Sequence, residues 1–348
     1  MIVFLPQIML LFFALALLDE SGYLARATLL MDRLMRRVGL PGRAFIPMLS
    51  AHVCAIPALM STRVIEDRRE RLVTMLILPL LTCSARVPVA MLVSLLLIRT
   101  PLLAGAVMLG CYLLGIVAAL VMGFVFRKTL LKGDATPLLI ELPAYRLPSP
   151  AAALRVMGER GWVFLKQAGG IILAISIVLR FAATFPQLLE DRLETFVGPE
   201  RHSQLLARQE AAAEYSIAGR VGRAMEPVFT PLGFTWQMNV GVVSSFAARE
   251  VFVATMAVVY GVADAEEGQP LYDLLAKQTR ADGSPALDLP TCLSLLVFFV
   301  LAIQCLPTQA VMKRETGGWR WPIFQLAYTT ALAYGAALAV YQATHAFT

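Results

Sequence analysis

The chain has 348 residues, 58% of them hydrophobic and only 16% charged, with a mean hydropathy of +0.69. That composition excludes an ordinary soluble domain and places the chain in a bilayer. The net charge of +6 sits in short Arg-rich loops beside apolar spans, where the positive-inside rule accounts for it without nucleic acid.

Apolar runs of membrane length occur at Ile2–Leu18, Leu72–Ile98, Leu102–Phe126, Val163–Ala183, Trp236–Tyr260, Thr291–Met312 and Trp321–Ala343. The fold class expected is an all-α, polytopic membrane helix bundle. Phe45–Met60 is too short for a span and reads as a re-entrant hairpin. Asp19–Ala44 carries Arg26, Arg33, Arg36, Arg37 and Arg43, and the loop after the hairpin carries Arg63, Arg68, Arg69 and Arg71. Both loops are therefore expected in the cytoplasm, so Phe45–Met60 enters and leaves on one side. Leu72–Ile98 crosses outward, Leu102–Phe126 returns, and the Pro-rich stretch from Pro137 to Pro150 reads as an extended or surface-lying connection.

The second half reads as a counterpart. Val163–Ala183 leads to a mixed-charge outer loop, and acidic segments flank Trp236–Tyr260. That segment either re-enters from the outer face or simply crosses; both readings stand. A broken segment entering from each face is the inverted-repeat logic of secondary transporters. The domain organisation expected is a first membrane half over 1–133, a cytoplasmic connection over 134–162 and a second half over 163–348.

Two apolar segments share an Ala-Arg pair beside small polar residues: Thr82-Cys83-Ser84-Ala85-Arg86-Val87-Pro88 and Ser244-Ser245-Phe246-Ala247-Ala248-Arg249-Glu250. Ionisable groups at membrane depth are costly and face a protein interior or a watery path. Pro79 and Pro88 bracket Cys83, and Pro57 follows His52 and Cys54, so discontinuous helices are expected at both places. Arg86 needs a helix carbonyl end or a carboxylate as partner. A thiol and an imidazole near a helix break suit a borderline divalent metal, or else Cys54 packs and His52 bonds a carbonyl. Glu250 is a metal contact or the partner of an arginine. Cys305, followed by Pro307, marks a third broken polar patch, whereas Cys111 and Cys292 read as structural. The sequence contains no Gly-x-x-x-x-Gly-Lys-Ser/Thr loop, no His-Glu-x-x-His helix and no Gly-x-Ser-x-Gly elbow, so it offers catalysis no visible home.

Read in order, Phe4-Leu5-Pro6-Gln7, Asp19-Glu20-Ser21-Gly22-Tyr23, Phe45-Ile46-Pro47-Met48-Leu49-Ser50, Cys54-Ala55-Ile56-Pro57 and Cys83-Ser84-Ala85-Arg86-Val87-Pro88 form a specific series. Glu141-Leu142-Pro143-Ala144-Tyr145-Arg146, Ala248-Arg249-Glu250-Val251 and Lys313-Arg314-Glu315-Thr316-Gly317 complete it. The series resembles the membrane domain of the ferrous-iron transport protein B family (FeoB) across essentially the whole chain. The resemblance implies two Gate segments, around Phe45–Val89 and Trp236–Val259, with Cys54 and Cys83 as gate cysteines. Together with the reading of the residues above, the candidate metal ligands are Cys54, Cys83, Glu250, Cys305 and His52. The helix-break residues are Pro57, Pro79, Ser84, Arg86, Pro88, Ser245, Arg249 and Pro307. The common first-gate form, Gly-Phe-Gly-Cys-Asn-Val-Pro, stands here as Ala51-His52-Val53-Cys54-Ala55-Ile56-Pro57, which removes an amide and adds an imidazole.

The function expected is Fe²⁺ transport across the bacterial cytoplasmic (inner) membrane, with Fe²⁺ as substrate and no resident cofactor. Family members carry a GTPase domain, so this chain reads as a fragment of a longer protein or as the membrane partner of a separate GTPase. A small accessory protein of the same uptake system and a second copy of the chain are the other partners implied. Two alternatives remain: a Gate-type carrier of another, nucleoside-like substrate, and a non-transporting membrane scaffold. The topology is tested by single-cysteine labelling at Arg37 and Arg68 in a background lacking native thiols. Both positions are expected to label from the cytoplasm, and outside labelling of either one sinks the hairpin.

Overall fold

A computed structural model of the chain describes residues 4–97, 101–130, 145–170, 216–246, 251–260, 285–302 and 305–346, with isolated positions between 173 and 181, Arg249 and Leu275. Among the described residues the regular structure is helical and contains no β-strand. Four stretches are long and apolar enough to cross a bilayer: Arg68–Leu96, Leu102–Thr129, Leu289–Thr316 and Arg320–His345. The second and fourth are unbroken helices whose apolar windows are only 28% and 22% buried, leaving most of their apolar surface for lipid. The first and third are interrupted, and their windows are 67% and 69% buried. Interrupted backbone at membrane depth is tolerated only inside protein, and that is where the chain keeps it.

The chain forms two compact units, each drawn from separate stretches. The first comprises Met1–Ser84, Tyr112–Leu173 and Pro307–Tyr328, and the second Ala85–Cys111, Ala174–Leu306 and Thr329–Thr348.

In the first unit, α1 (Phe4–Glu20) packs against α8 (Pro150–Phe164). Ser149 caps α8 by accepting from the Ala152 N–H, with Pro150 in the first turn, where a missing N–H costs nothing. Residues 150–162, the end of the expected connection, are thus helical, while of the Pro-rich stretch only residues from Tyr145 onward are described and residues 131–144 lie outside. The expected span Val163–Ala183 opens as the end of α8 and a π-helical turn, Leu165–Gly169, and most of its remainder also lies outside. Helix α2 (Tyr23–Arg37) starts after Gly22, whose φ of 77° needs a residue without Cβ.

Phe45–Met60 forms two short helices packed on each other, α3 (Phe45–Ala51) and α4 (Ala55–Ser61). Seven residues rise only about 10 Å, a third of a hydrocarbon core, so neither helix can span alone. Then α5 (Arg68–Ile77) begins on Asp67, whose carboxylate accepts from the N–H groups of Arg69 and Glu70.

Pro79 has no N–H, so α5 cannot continue and the Met75 carbonyl loses its helical donor. Gln325, fully buried, supplies the replacement: its amide donates to Met75 O at 2.7 Å and Leu76 O at 3.2 Å. Tyr328 OH also donates to Leu76 O, and Gln309 donates to Gln325 Oε1 at 3.2 Å. At the end of α5 remote from this break, Glu315 joins two arginines, Arg63 in the preceding 3-10 turn and Arg71 in the first turns of α5. Arg63 Nη2 approaches Oε1 at 2.6 Å and Arg71 Nη2 approaches Oε2 at 2.5 Å. The hydrogen bond to Glu315 holds the Arg63 guanidinium above its ordinary pKa against slight desolvation.

In the second unit, α6 (Val87–Leu97) packs against α13 (Leu289–Leu301) and α12 (Val251–Val259). Helix α9 (Ile217–Ala224) packs against α11 (Trp236–Ser244), with the short α10 (Glu226–Phe229) between them in sequence. Gly222 permits that approach, since a Cβ there would lie 2.5 Å from Val240 Cγ2 and 2.9 Å from Trp236 O. Helix α14 (Leu306–Thr316) carries the chain back to the first unit, and α15 (Arg320–His345) closes it.

Replacing Gln325 by Leu leaves two buried carbonyls without that donor. The expected cost is about 1–3 kcal/mol, read as a lowered melting temperature of the purified membrane protein. An unchanged melting temperature contradicts the capping role.

Candidate functional site

The first break lies between α3 and α4. His52 and Val53 form a turn, and Cys54 is extended at φ −155°, ψ 134°. The N–H groups of His52, Val53 and Cys54 close back on Leu49 O and Ser50 O at 3.1–3.3 Å. Helix α4 cannot grow backward through Val53, because that would require an N–H at Pro57. Pro57 itself is buried in the first turn of α4, where its ring is tolerated.

The second break follows α5. Leu78–Leu80 tightens into a 3-10 turn around Pro79, Leu81 to Cys83 run without helix, and Ser84–Arg86 make another 3-10 turn before α6. Pro88 falls at the second position of α6. This is the discontinuous helix the proline spacing predicts. In the first unit the two breaks brace each other. Ser84 Oγ donates to Val53 O at 2.8 Å, and His52 Nδ1 lies 3.2 Å from Thr82 O. The His52 ring also stacks on Tyr112, with centroids 5.9 Å apart and planes at 29°. Three residues further along that helix, α7 (Pro101–Thr129), Gly115 meets the second break directly. A Cβ there would lie 2.8 Å from Thr82 Oγ1 and 3.0 Å from Leu80 O.

The second unit holds the other motif. Ser244 Oγ donates to Thr255 Oγ1 at 2.8 Å, tying α11 to α12, and Ser245 Oγ donates to Val242 O at 2.6 Å. Gly241 makes the same two helices meet closely, since a Cβ there would be 2.7 Å from the Phe252 ring. Trp236–Tyr260 thus holds two helices packed on each other, Trp236–Ser244 and Val251–Val259, rather than one continuous helix. Arg249 is 4% exposed, and its Nη1 has no hydrogen-bond partner among the described residues. Glu250, Ala247 and Ala248 lie outside the described residues, as does Gln304.

Arg86 is 2% exposed, and its Nη2 donates at 3.2 Å to the carbonyl of Ala302. Ala302 is the extended residue that ends α13, so Arg86 has found the helix carbonyl end its burial demands. The Leu306 N–H donates to Phe246 O at 2.9 Å, linking the third break to the Ser245 turn. Pro307 sits buried in the first turn of α14.

The cysteines sort by place. Cys54, Cys83 and Cys305 stand at non-helical positions and are half-buried, whereas Cys111 and Cys292 are buried within helices. Among the described residues no three His, Cys, Asp or Glu side chains converge as a metal-holding group. Two thiols and an imidazole, those of Cys54, Cys83 and His52, stand at the two mutually braced breaks of the first unit. Sequence reasoning missed Tyr112, Gly115, Gln325 and Glu315; only a glycine and polar groups within otherwise apolar helices signalled the first three.

Helix breaks held inside protein, in a chain with bilayer-length apolar helices, define an all-α, multi-pass membrane protein. Residues 1–97 and 165–319 match the family described as Gate, nucleoside recognition. Residues 108–160 match the family described as ferrous iron transport protein B C terminus. The Fe(2+) transporter FeoB of Leptospira interrogans serovar Lai is 42% identical over 352 residues, covering 99% of this chain and 49% of that protein. A Fe(2+) transport protein A/Fe(2+) transporter FeoB fusion protein of Porphyromonas gingivalis is 35% identical, covering 98% of this chain and 42% of its own length. The FeoB of Methanocaldococcus jannaschii is 34% identical, covering 97% and 47%. The chain belongs to the Gate family, in its ferrous-iron transport protein B (FeoB) branch. It spans about half the length of the curated relatives it matches. No solved structure matches it.

Gly115→Ala forces a methyl against a backbone carbonyl that cannot rotate away. The expected cost is about 1–3 kcal/mol, seen as a lowered melting temperature. Gly110 on the same helix meets nothing within 4 Å, so Gly110→Ala is the control. It is expected to be neutral or stabilising by up to about 1 kcal/mol, as alanine favours helix. Equal behaviour of the two variants contradicts a close approach at Gly115.

Proposed function

We propose that this chain forms the membrane pathway of a bacterial ferrous-iron uptake protein, with Fe²⁺ as the transported substrate and the inner membrane as its place. The observation that carries the reading is the placement of Cys54 and Cys83 at two helix breaks that brace each other, accessible where Cys111 and Cys292 are not. Fe²⁺ is borderline and accepts thiolate as readily as oxygen donors. Conduction requires sites that are weak enough to release what they bind, and a few donors at a break satisfy that need. The relatives' name, Fe(2+) transporter FeoB, supports the same substrate. Cys305, Glu250 and the arginine pair Arg86 and Arg249 are further candidates for lining or shaping the pathway.

Energy coupling is assigned to a GTPase acting from the same chain or from a separate one, because this sequence holds no phosphate-binding loop. The Porphyromonas fusion supports a small accessory protein as another partner. A second reading, a carrier of nucleoside-like substrates, is favoured by the description of the Gate family and by the His52–Tyr112 stack. Competition of nucleosides against iron uptake tests it, and no competition rejects it.

In cells depleted of their own ferrous uptake, Cys54→Ser and Cys83→Ser are each expected to lower ⁵⁵Fe²⁺ uptake at near-equal membrane abundance. Serine has almost the volume of cysteine but is a far poorer ligand for this ion. Cys111→Ser is the internal control and keeps transport. Equal uptake by wild type and the Cys54→Ser, Cys83→Ser double variant rejects thiol-mediated permeation.

A further inference from the structure

A carbonyl oxygen only accepts, so the contact between His52 and Thr82 O fixes which ring nitrogen carries the hydrogen. In the neutral ring Nδ1–H donates, and Nε2 holds the lone pair on the opposite side. The Tyr112 stack fixes the plane of the ring as the carbonyl fixes its rotation. Ring orientation by a backbone carbonyl through one nitrogen, with the other left basic, is how proteins prepare a histidine for a metal. The neighbouring chemistry agrees. Cys54 stands two residues on at the same break, Cys83 follows Thr82, and His52 is half-buried and so open to an incoming ion.

We infer that His52 is a specificity-determining ligand of the gate, presenting Nε2 to the passing divalent cation and tilting it toward Fe²⁺ over harder ions such as Mn²⁺ and Mg²⁺. The inference rests on the permeation reading above. Its chemistry is that imidazole binds Fe²⁺ better than Mn²⁺, whereas an oxygen donor narrows that difference. Thr82 O and Tyr112 act as positioning groups and do not touch the ion.

Two variants separate ligation from bracing. His52→Phe keeps a ring against Tyr112 and removes both nitrogens. His52→Gln keeps an N–H for Thr82 O and puts an amide oxygen in place of Nε2. The full-length protein, with its GTPase on the same chain or co-expressed, is assayed for ⁵⁵Fe²⁺ and ⁵⁴Mn²⁺ uptake at matched abundance. His52→Phe is expected to lower Fe²⁺ uptake by about tenfold, the loss typical of a disturbed metal ligand. In His52→Gln the Fe²⁺-to-Mn²⁺ ratio falls while abundance holds. A strut alone would leave that ratio at the wild-type value in both variants, and that result overturns the inference. Should His52→Phe fail to accumulate, the ratio in His52→Gln decides. Wild-type protein that takes up no Fe²⁺ rejects the permeation reading and the inference together, whereas wild-type uptake with an unchanged ratio rejects the inference alone.

Discussion

A helix broken inside an apolar bundle leaves carbonyls that hydrocarbon cannot satisfy, and the described structure is arranged around supplying their donors. Met75 O and Leu76 O receive Gln325, with Tyr328 adding a second donor at Leu76 O. Val53 O receives Ser84, Thr82 O receives His52, Ala302 O receives Arg86, and Phe246 O receives the Leu306 N–H. Each unit meets the same requirement with different chemistry: amide, hydroxyl and imidazole in the first, guanidinium and backbone in the second. Polar residues that look costly in apolar segments are the ones that make the breaks affordable.

Much of this was legible in the sequence, because proline acts locally. Pro57, Pro79 and Pro307 each remove one N–H from a known register, so the breaks beside them follow from the residue alone. Arg86 in an apolar run called for a helix carbonyl end or a carboxylate, and Ala302 supplies the carbonyl. The partners were not legible. Gln325 lies 250 positions from Met75, in a helix that reads as an ordinary apolar span. Periodicity reports which face of a helix is apolar but not what that face meets. Arg63 and Arg71 illustrate the same limit. Counted along the sequence they mark a loop side, while in the structure a single carboxylate, Glu315, engages both. Gly115 looked like one glycine among several in its helix. Only the backbone of Leu80 and Thr82 pressed against it distinguishes it from Gly105 and Gly110.

The donors also bear on what is left for a cation. A broken helix invites the picture of bare carbonyls lining a path, as in filters where carbonyls replace the hydration shell. Here two carbonyls at the first two breaks hold protein donors: Ser84 on Val53 O and His52 on Thr82 O. Each such bond draws electron density from the oxygen and occupies one of its two lone pairs. The same breaks also carry side-chain atoms of softer character, the sulfurs of Cys54 and Cys83 and the imidazole of His52. On the proposed permeation reading, bracing the breaks and presenting soft ligands are one arrangement seen from two sides. On that reading, thiol and imidazole donors suit a borderline ion better than a hard one. An imidazole at position 52 serves both ends of that arrangement at once, with Nδ1 on the carbonyl and Nε2 beyond it. A phenylalanine in the same place could stack on Tyr112 but do neither.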